Sequence, residues 1–231
     1  MSVAAEYAPA AEEVAENPFS EAENFDPCSQ IVPQPKVTFS TSYGKLSYDF
    51  SKNFNELTRM GKTYGILEQG VFASGLSVVG INWEVSLNSV SRIVGDYDIC
   101  VIPTTVEVFI GYQDPIIFMS RELQPHSCIY NVVLRHEQTH HQINKTALEY
   151  FIPQLKKSIS EIVKDIRPLH VTSSSMIDNA TNELTDEYIR RIEPLISYFK
   201  QELLKEQSKL DNHGNYQMEG DLCKYVNRHK K

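Results

Sequence analysis

The chain has 231 residues, 41% of them hydrophobic, enough to bury a core as one large domain or as a domain with a tail. Its formal charge of −8 is uneven: residues 1–35 hold six Glu, one Asp and no Lys or Arg, which is −7 and leaves −1 for the rest. With no basic face to replace phosphate counterions, a nucleic-acid partner is not expected; no run reaches the length of a membrane span, and the first residues lack the basic and apolar regions of a secretory leader.

Residues 1–35, opening in Ala-, Glu- and Pro-rich sequence, read as a disordered acidic lead-in or linker. The folded part is expected over 36–231, with strands within 36–118 and helices within 127–212. Residues 36–50 (KVTFSTSYGKLSYDF) alternate apolar and polar about Gly44, as a hairpin or a pair of strands would. Residues 52–62 predict a short helix ended by Gly61. Runs at 76–90, 97–102 and 105–112 are rich in β residues and separated by Gly, Asp and Pro, which predicts a small antiparallel β-sheet. After Pro125 the pattern turns helical over 128–166 and about 174–210, with a turn at Arg167-Pro168 and with Pro153 and Pro194 expected to kink or split the helices. Strands followed by two long helices, without a repeat, predict an α+β fold in which a helical hairpin packs on one face of the sheet.

The first long helix contains His136-Glu137-Gln138-Thr139-His140, an HExxH motif. Between Ser127, a plausible N-cap, and Ile152 there is no Gly or Pro, and Val133, His136, His140, Ile143, Ala147 and Phe151 recur at helical spacing. Residues four apart share a face, so His136 and His140 can each offer a ring nitrogen to one zinc ion while Glu137 holds a water. The bland alternative is a chance match on a solvated helix, but imidazoles on an inward face need partners. His141 is rotated by about 100° from His140, which suits a supporting or surface role.

The tail of the last long helix carries His213-Gly214-Asn215-Tyr216-Gln217, where Gly214 suits a helix C-cap. HExxH after a small sheet, two long helices and a terminal HGxxQ together resemble the bacterial family of predicted secreted zinc-dependent proteases, a domain family of unknown function. The runs YDFSKNFNELTRMGKTYG and GINWEVS also resemble its opening strand-helix-strand, so the likeness spans roughly residues 40–220. It implies a zincin-like metallopeptidase domain, a secreted or periplasmic location, and His213 at the metal. The family usually has Tyr-Asp and Thr shortly before HG; here Gln207, Ser208 and Asp211 stand at those places.

A catalytic zinc takes three protein ligands and an open position. Glu183 in NELTD resembles the glutamate of thermolysin-like zincins, but a hairpin turning near residue 170 leaves it about 25 Å from His140. Glu202 and Glu206 would face the motif. His213 is favoured by the resemblance, with Glu206 second. The expected reaction is hydrolysis of peptide bonds in a protein or peptide substrate: zinc acidifies a water, and Glu137 takes its proton as general base and passes it to the leaving amine. Tyr216, His141 or a backbone N–H is the candidate oxyanion donor. The rival readings are a zinc-stabilised binding or structural module with all four positions filled by protein, and a metal-free helical interaction protein.

Cys28, Cys100, Cys128 and Cys223 include no CxxC pair. Cys100 ends a predicted strand and Cys128 begins the motif helix, so an exported chain should join them. The alternative is four buried free thiols in a cytoplasmic protein.

Overall fold

The computed structural model describes residues 26–67 and 72–228. The expectation of disorder over residues 1–25 lies outside them. Among the described residues the fold is mixed α+β, with two small sheets and four α-helices, two of them long. No helix among the described residues is long and apolar enough to cross a membrane.

The strands are β1 (Lys36–Ser42), β2 (Ser47–Asp49), β3 (Gly75–Val78), β4 (Ile81–Ile93), β5 (Ile99–Tyr112), β6 (Ile116–Met119) and β7 (Leu169–Val171). One sheet has the order β1-β5-β4, with β7 paired to the start of β5; the other is β2-β6-β3. Both orders follow the same three chain paths, interrupted at one level by short links at 43–46, 79–80 and 113–115. The links stay bonded to each other: the Gln113 amide donates to Gly80 O and the Ser47 amide to Pro115 O, both at 3.0 Å.

The sheets are mixed, not purely antiparallel. β1 pairs with β5, and β2 with β6, in parallel, so residues 36–50 form a pair of strands in separate sheets and not a hairpin. Local alternation reports strands; it does not report which partner each strand finds. The runs 97–102 and 105–112 fuse into β5 through Pro103. This is tolerated because Pro103 sits beside the register shift at Asn88/Ser89 and between the stretches of β5 that pair with β7 and β1, where the ladder is already irregular.

Helix α1 (Phe54–Thr63) opens with a capping box between Asn53 and Glu56. It continues past Gly61, the expected stop, and the reversal falls to Gly65 at φ +68°. The second sheet is covered on both sides. Leu76 and Phe118 pack on Leu57 of α1, whereas Ile117 and Met119 face the start of the motif helix.

Helix α2 (Cys128–Asp165) and helix α3 (Ile177–Leu210) are the long pair, and both run unbroken through Pro153 and Pro194. Each proline removes one intrahelical bond, which tertiary packing outweighs. Leu148, Leu155 and Ile159 of α2 and Leu184, Tyr188, Ile192 and Phe199 of α3 close on Val106, Val108 and Ile110 of β5, so the hairpin covers one face of the larger sheet. Each large apolar side chain fully buried there contributes roughly 1.5–3 kcal/mol.

The chain does not stop at the end of α3. Helix α4 (His213–Arg228) follows, started by Asn212, whose side chain accepts from the Asn215 amide at 3.0 Å. Gly214 therefore lies in a first turn and caps no C-terminus.

The cysteines pair as Cys28–Cys100 and Cys128–Cys223, which overturns the expected Cys100–Cys128 bridge and the alternative of free thiols. Cys100 begins β5 and does not end a strand, while Cys128 starts a helix packed at the far end of that path, beside β6. Fourteen residues of extended chain span about 45 Å, far beyond the reach of a disulfide of about 7 Å between Cα atoms. Cys28 ties the described part of the acidic lead-in to the domain.

Candidate metal centre

Helix α2 brings the two motif histidines together. Ser127 caps it, accepting from the Tyr130 amide at 3.2 Å, and the Nε2 atoms of His136 and His140 lie 3.1 Å apart. Asp211 Oδ1 is 3.0 Å from each of them. Asp211 immediately follows α3, and its place continues a series along that helix: from buried Leu203, successive steps of four reach Gln207 and then Asp211.

The outer nitrogens fix the ring tautomers. Gln207 Nε2 donates to Asn144 Oδ1 at 2.8 Å and to His140 O at 3.1 Å, which turns its Oε1 toward His140 Nδ1 at 2.5 Å. That oxygen can only accept, so His140 carries its proton on Nδ1. His136 Nδ1 likewise donates to the Glu219 carboxylate at 3.1 Å. Both rings therefore aim an Nε2 lone pair at the point that Asp211 Oδ1 also faces.

Three acceptor atoms sit 3.0–3.1 Å apart, and among the described groups the hydroxyl of Tyr216, 2.6 Å from Asp211 Oδ1, is the only donor that reaches them. Such an arrangement needs a cation at its centre, whether added protons or a metal ion. The triangle suits a metal: tetrahedral zinc with bonds of about 2.0–2.1 Å separates its ligands by about 3.3 Å.

The charges agree. Burial opposes the protonated imidazoles, but hydrogen bonding to Asp211 and the Glu137 and Glu219 carboxylates outweigh it and hold His136 above its ordinary pKa. Burial is outweighed at His140 too, by Asp211, Gln207 and Glu137. Asp211 is buried as well, yet hydrogen bonds from His136, His140 and Tyr216 keep its carboxyl well below the usual range. The main influences on these residues are burial, one another, Gln207, Tyr216 and the Glu137 and Glu219 carboxylates, a balance that favours a positive charge at the centre.

Glu137, 6% exposed, stands one helical position on from His136. Burial pushes its carboxyl up to about 7 against the opposing pull of His140, His136 and the Ser77 backbone of β3. A general base poised near neutrality is what proton abstraction from water requires. The strand comes so close because it has no side chain at Gly75: a Cβ there would lie 2.7 Å from Glu137 Cγ.

Sequence reasoning placed the third ligand elsewhere. His213 opens α4 as an exposed residue outside the donor group, because the chain turns at Asp211-Asn212 and leaves Asp211 on the inside of the corner. Glu202 and Glu206 pair with Lys205 and Lys209 along α3, and Glu183 is exposed. His141 points away from the donors, its Nδ1 buried without a partner and its pKa held low by burial and by Lys145. Of the oxyanion candidates, Tyr216 is the side chain at the centre, its ring stacked 5.3 Å from that of His136. The overlooked signal was the step of four from Leu203 through Gln207 to Asp211. Glu219 gave none, since α4 was not expected. No protein-family model, curated protein or solved structure matches this chain.

Proposed function

We propose that this chain is a zinc-dependent metallopeptidase of zincin-like design, similar in its motifs to the predicted secreted zinc-dependent proteases. One observation carries the reading: His136 Nε2, His140 Nε2 and Asp211 Oδ1 form a near-equilateral triangle of acceptors beside a buried carboxylate at the second position of HExxH. Those three would hold zinc, with Asp211 in the role first given to His213. Zinc, when bound, would supply an acidified water and a polarised carbonyl. Glu137 would accept a proton from a water beside its carboxylate and deliver it to the leaving amine. Tyr216 Oη, already donating to Asp211, stands where it can turn to a developing oxyanion. Two disulfides that use all four cysteines support an oxidising compartment, hence a secreted or periplasmic protein.

The test combines metal analysis with hydrolysis of a denatured protein substrate. Wild type should carry about one zinc per chain, His136→Ala and Asp211→Ala should lose it, and His213→Ala and Glu206→Ala should keep it. Glu137→Gln should retain zinc and lose hydrolysis. Zinc retained by Asp211→Ala but lost by His213→Ala would return the ligand to the helix start. A wild-type chain that takes up no zinc ends the proposal.

A further inference from the structure

Helix α4 is held in an unusual way. Among its described side chains Cys223 alone is buried, while Met218 and Leu222 face solvent at 61% and 44% exposure. Short helices ordinarily dock through an apolar stripe, and the described side chains of α4, up to Lys224, show none. Its contacts with α2 and the metal centre lie on one face, at Tyr216, Glu219 and Cys223, spaced i, i+3 and i+7. Tyr216 donates to Asp211, Glu219 accepts from His136 Nδ1, and Cys223 is bridged to Cys128 at the start of the motif helix.

The link between α3 and α4 is only Asp211-Asn212, and Asp211 itself departs from helical geometry at φ −81°, ψ 66°. The candidate third ligand thus stands at the corner where the chain passes from α3 into α4. A displacement of α4 would take Glu219 off His136. His140 has an independent clamp, Gln207, delivered by the body of α3. His136 has Glu219.

We propose that α4 is a disulfide-anchored strap whose Glu219 positions the His136 ring for metal binding, so that the affinity of the centre depends on the Cys128–Cys223 bridge. This rests on the metal reading above. With Glu219 in place, the His136 proton is kept on Nδ1 and Nε2 is free to ligate. Without it the ring can rotate or change tautomer, which leaves the metal with His140 and Asp211.

Zinc affinity of the full chain, measured against a chromophoric chelator, tests the proposal. Glu219→Ala should weaken binding by about 10–100-fold, as loss of a partner behind a metal-ligating imidazole does. Glu219→Gln keeps an oxygen acceptor and should recover most of that loss. Cys128→Ser/Cys223→Ser should weaken binding similarly, and adding Glu219→Ala to it should cost little more, because one contact would have been removed twice. Nitrogen NMR of the imidazoles gives a readout that a merely structural role would not move: Glu219→Ala should abolish the Nδ1–H signature of His136 and leave that of His140. If the cysteine double variant does not fold, the two Glu219 variants decide alone. Wild-type affinity in Glu219→Ala with an unchanged His136 signature overturns the positioning role while the metal centre stands, and losses that simply add overturn its dependence on the bridge. A wild type that binds no zinc defeats the metal reading itself.

Discussion

Gly75→Ala probes the contact between β3 and the motif helix. The new methyl would lie 2.7 Å from both Glu137 Cγ and Val133 Cγ1 and 2.8 Å from Glu137 Oε1, against an ordinary carbon–carbon contact of about 3.5–4.0 Å. Something must yield by nearly 1 Å. The strand is bonded to β6 with Gly75 opposite Met119, so the end of the Glu137 side chain is the softest element. Overpacking of this kind costs about 1–3 kcal/mol, and at about 2–4 °C per kcal/mol for a chain of this size the melting temperature should fall by about 2–12 °C. Glu137→Ala removes two of the three clashing atoms, so the double variant should be more stable than the sum of the single changes by about 1 kcal/mol. Thermal and denaturant melts of all four proteins close the cycle, and zinc content should stay near wild type while hydrolysis falls with Gly75→Ala. Equal melting temperatures and equal hydrolysis for wild type and Gly75→Ala would show that β3 does not press on Glu137.

Two further outcomes concern the scaffold. Tyr188, fully buried on α3, has a hydroxyl without a partner among the described residues, so Tyr188→Phe should stabilise the protein by about 1 kcal/mol. Burial raises the Tyr188 pKa from 10.0 to about 12, so between those values this tyrosine ionises in the unfolded chain but not in the folded one, and fold stability should fall as pH climbs from 10 toward 12; denaturant melts of Tyr188→Phe should show a shallower alkaline decline, and an unchanged decline would count against this assignment. Cys28→Ser/Cys100→Ser opens a cross-link between residues 72 apart, worth about 4 kcal/mol on chain entropy, and should lower denaturant stability without changing zinc content; a loss under about 1 kcal/mol would argue that the bridge constrains little.

The elements were legible where the pattern is local. Ser127 as cap, the absence of Gly and Pro before Ile152, and HExxH at one helical turn all depend on neighbours within a few residues, and the α2 boundaries followed from them. The α+β order was legible for the same reason. Strand partners were not: β1 and β2 look like a hairpin around Gly44, yet each pairs in parallel with a strand that lies more than sixty residues on.

The candidate metal centre divides along the same line. His136, Glu137 and His140 share one turn of one helix, so the sequence by itself determined that two imidazoles and a carboxylate stand together. Asp211 and Glu219 lie 75 and 83 residues from His136 and reach it only after α3 has packed along α2, Asn212 has started α4 and Cys223 has met Cys128. A site assembled from α2, the end of α3 and α4 depends on how far each helix runs and where the chain turns, and a one-turn error in either moves a residue by about 5 Å, more than a metal–ligand bond. The tertiary structure therefore decided the third donor, the partners that orient the rings, and both disulfides, because each is a contact between segments that sequence order leaves far apart.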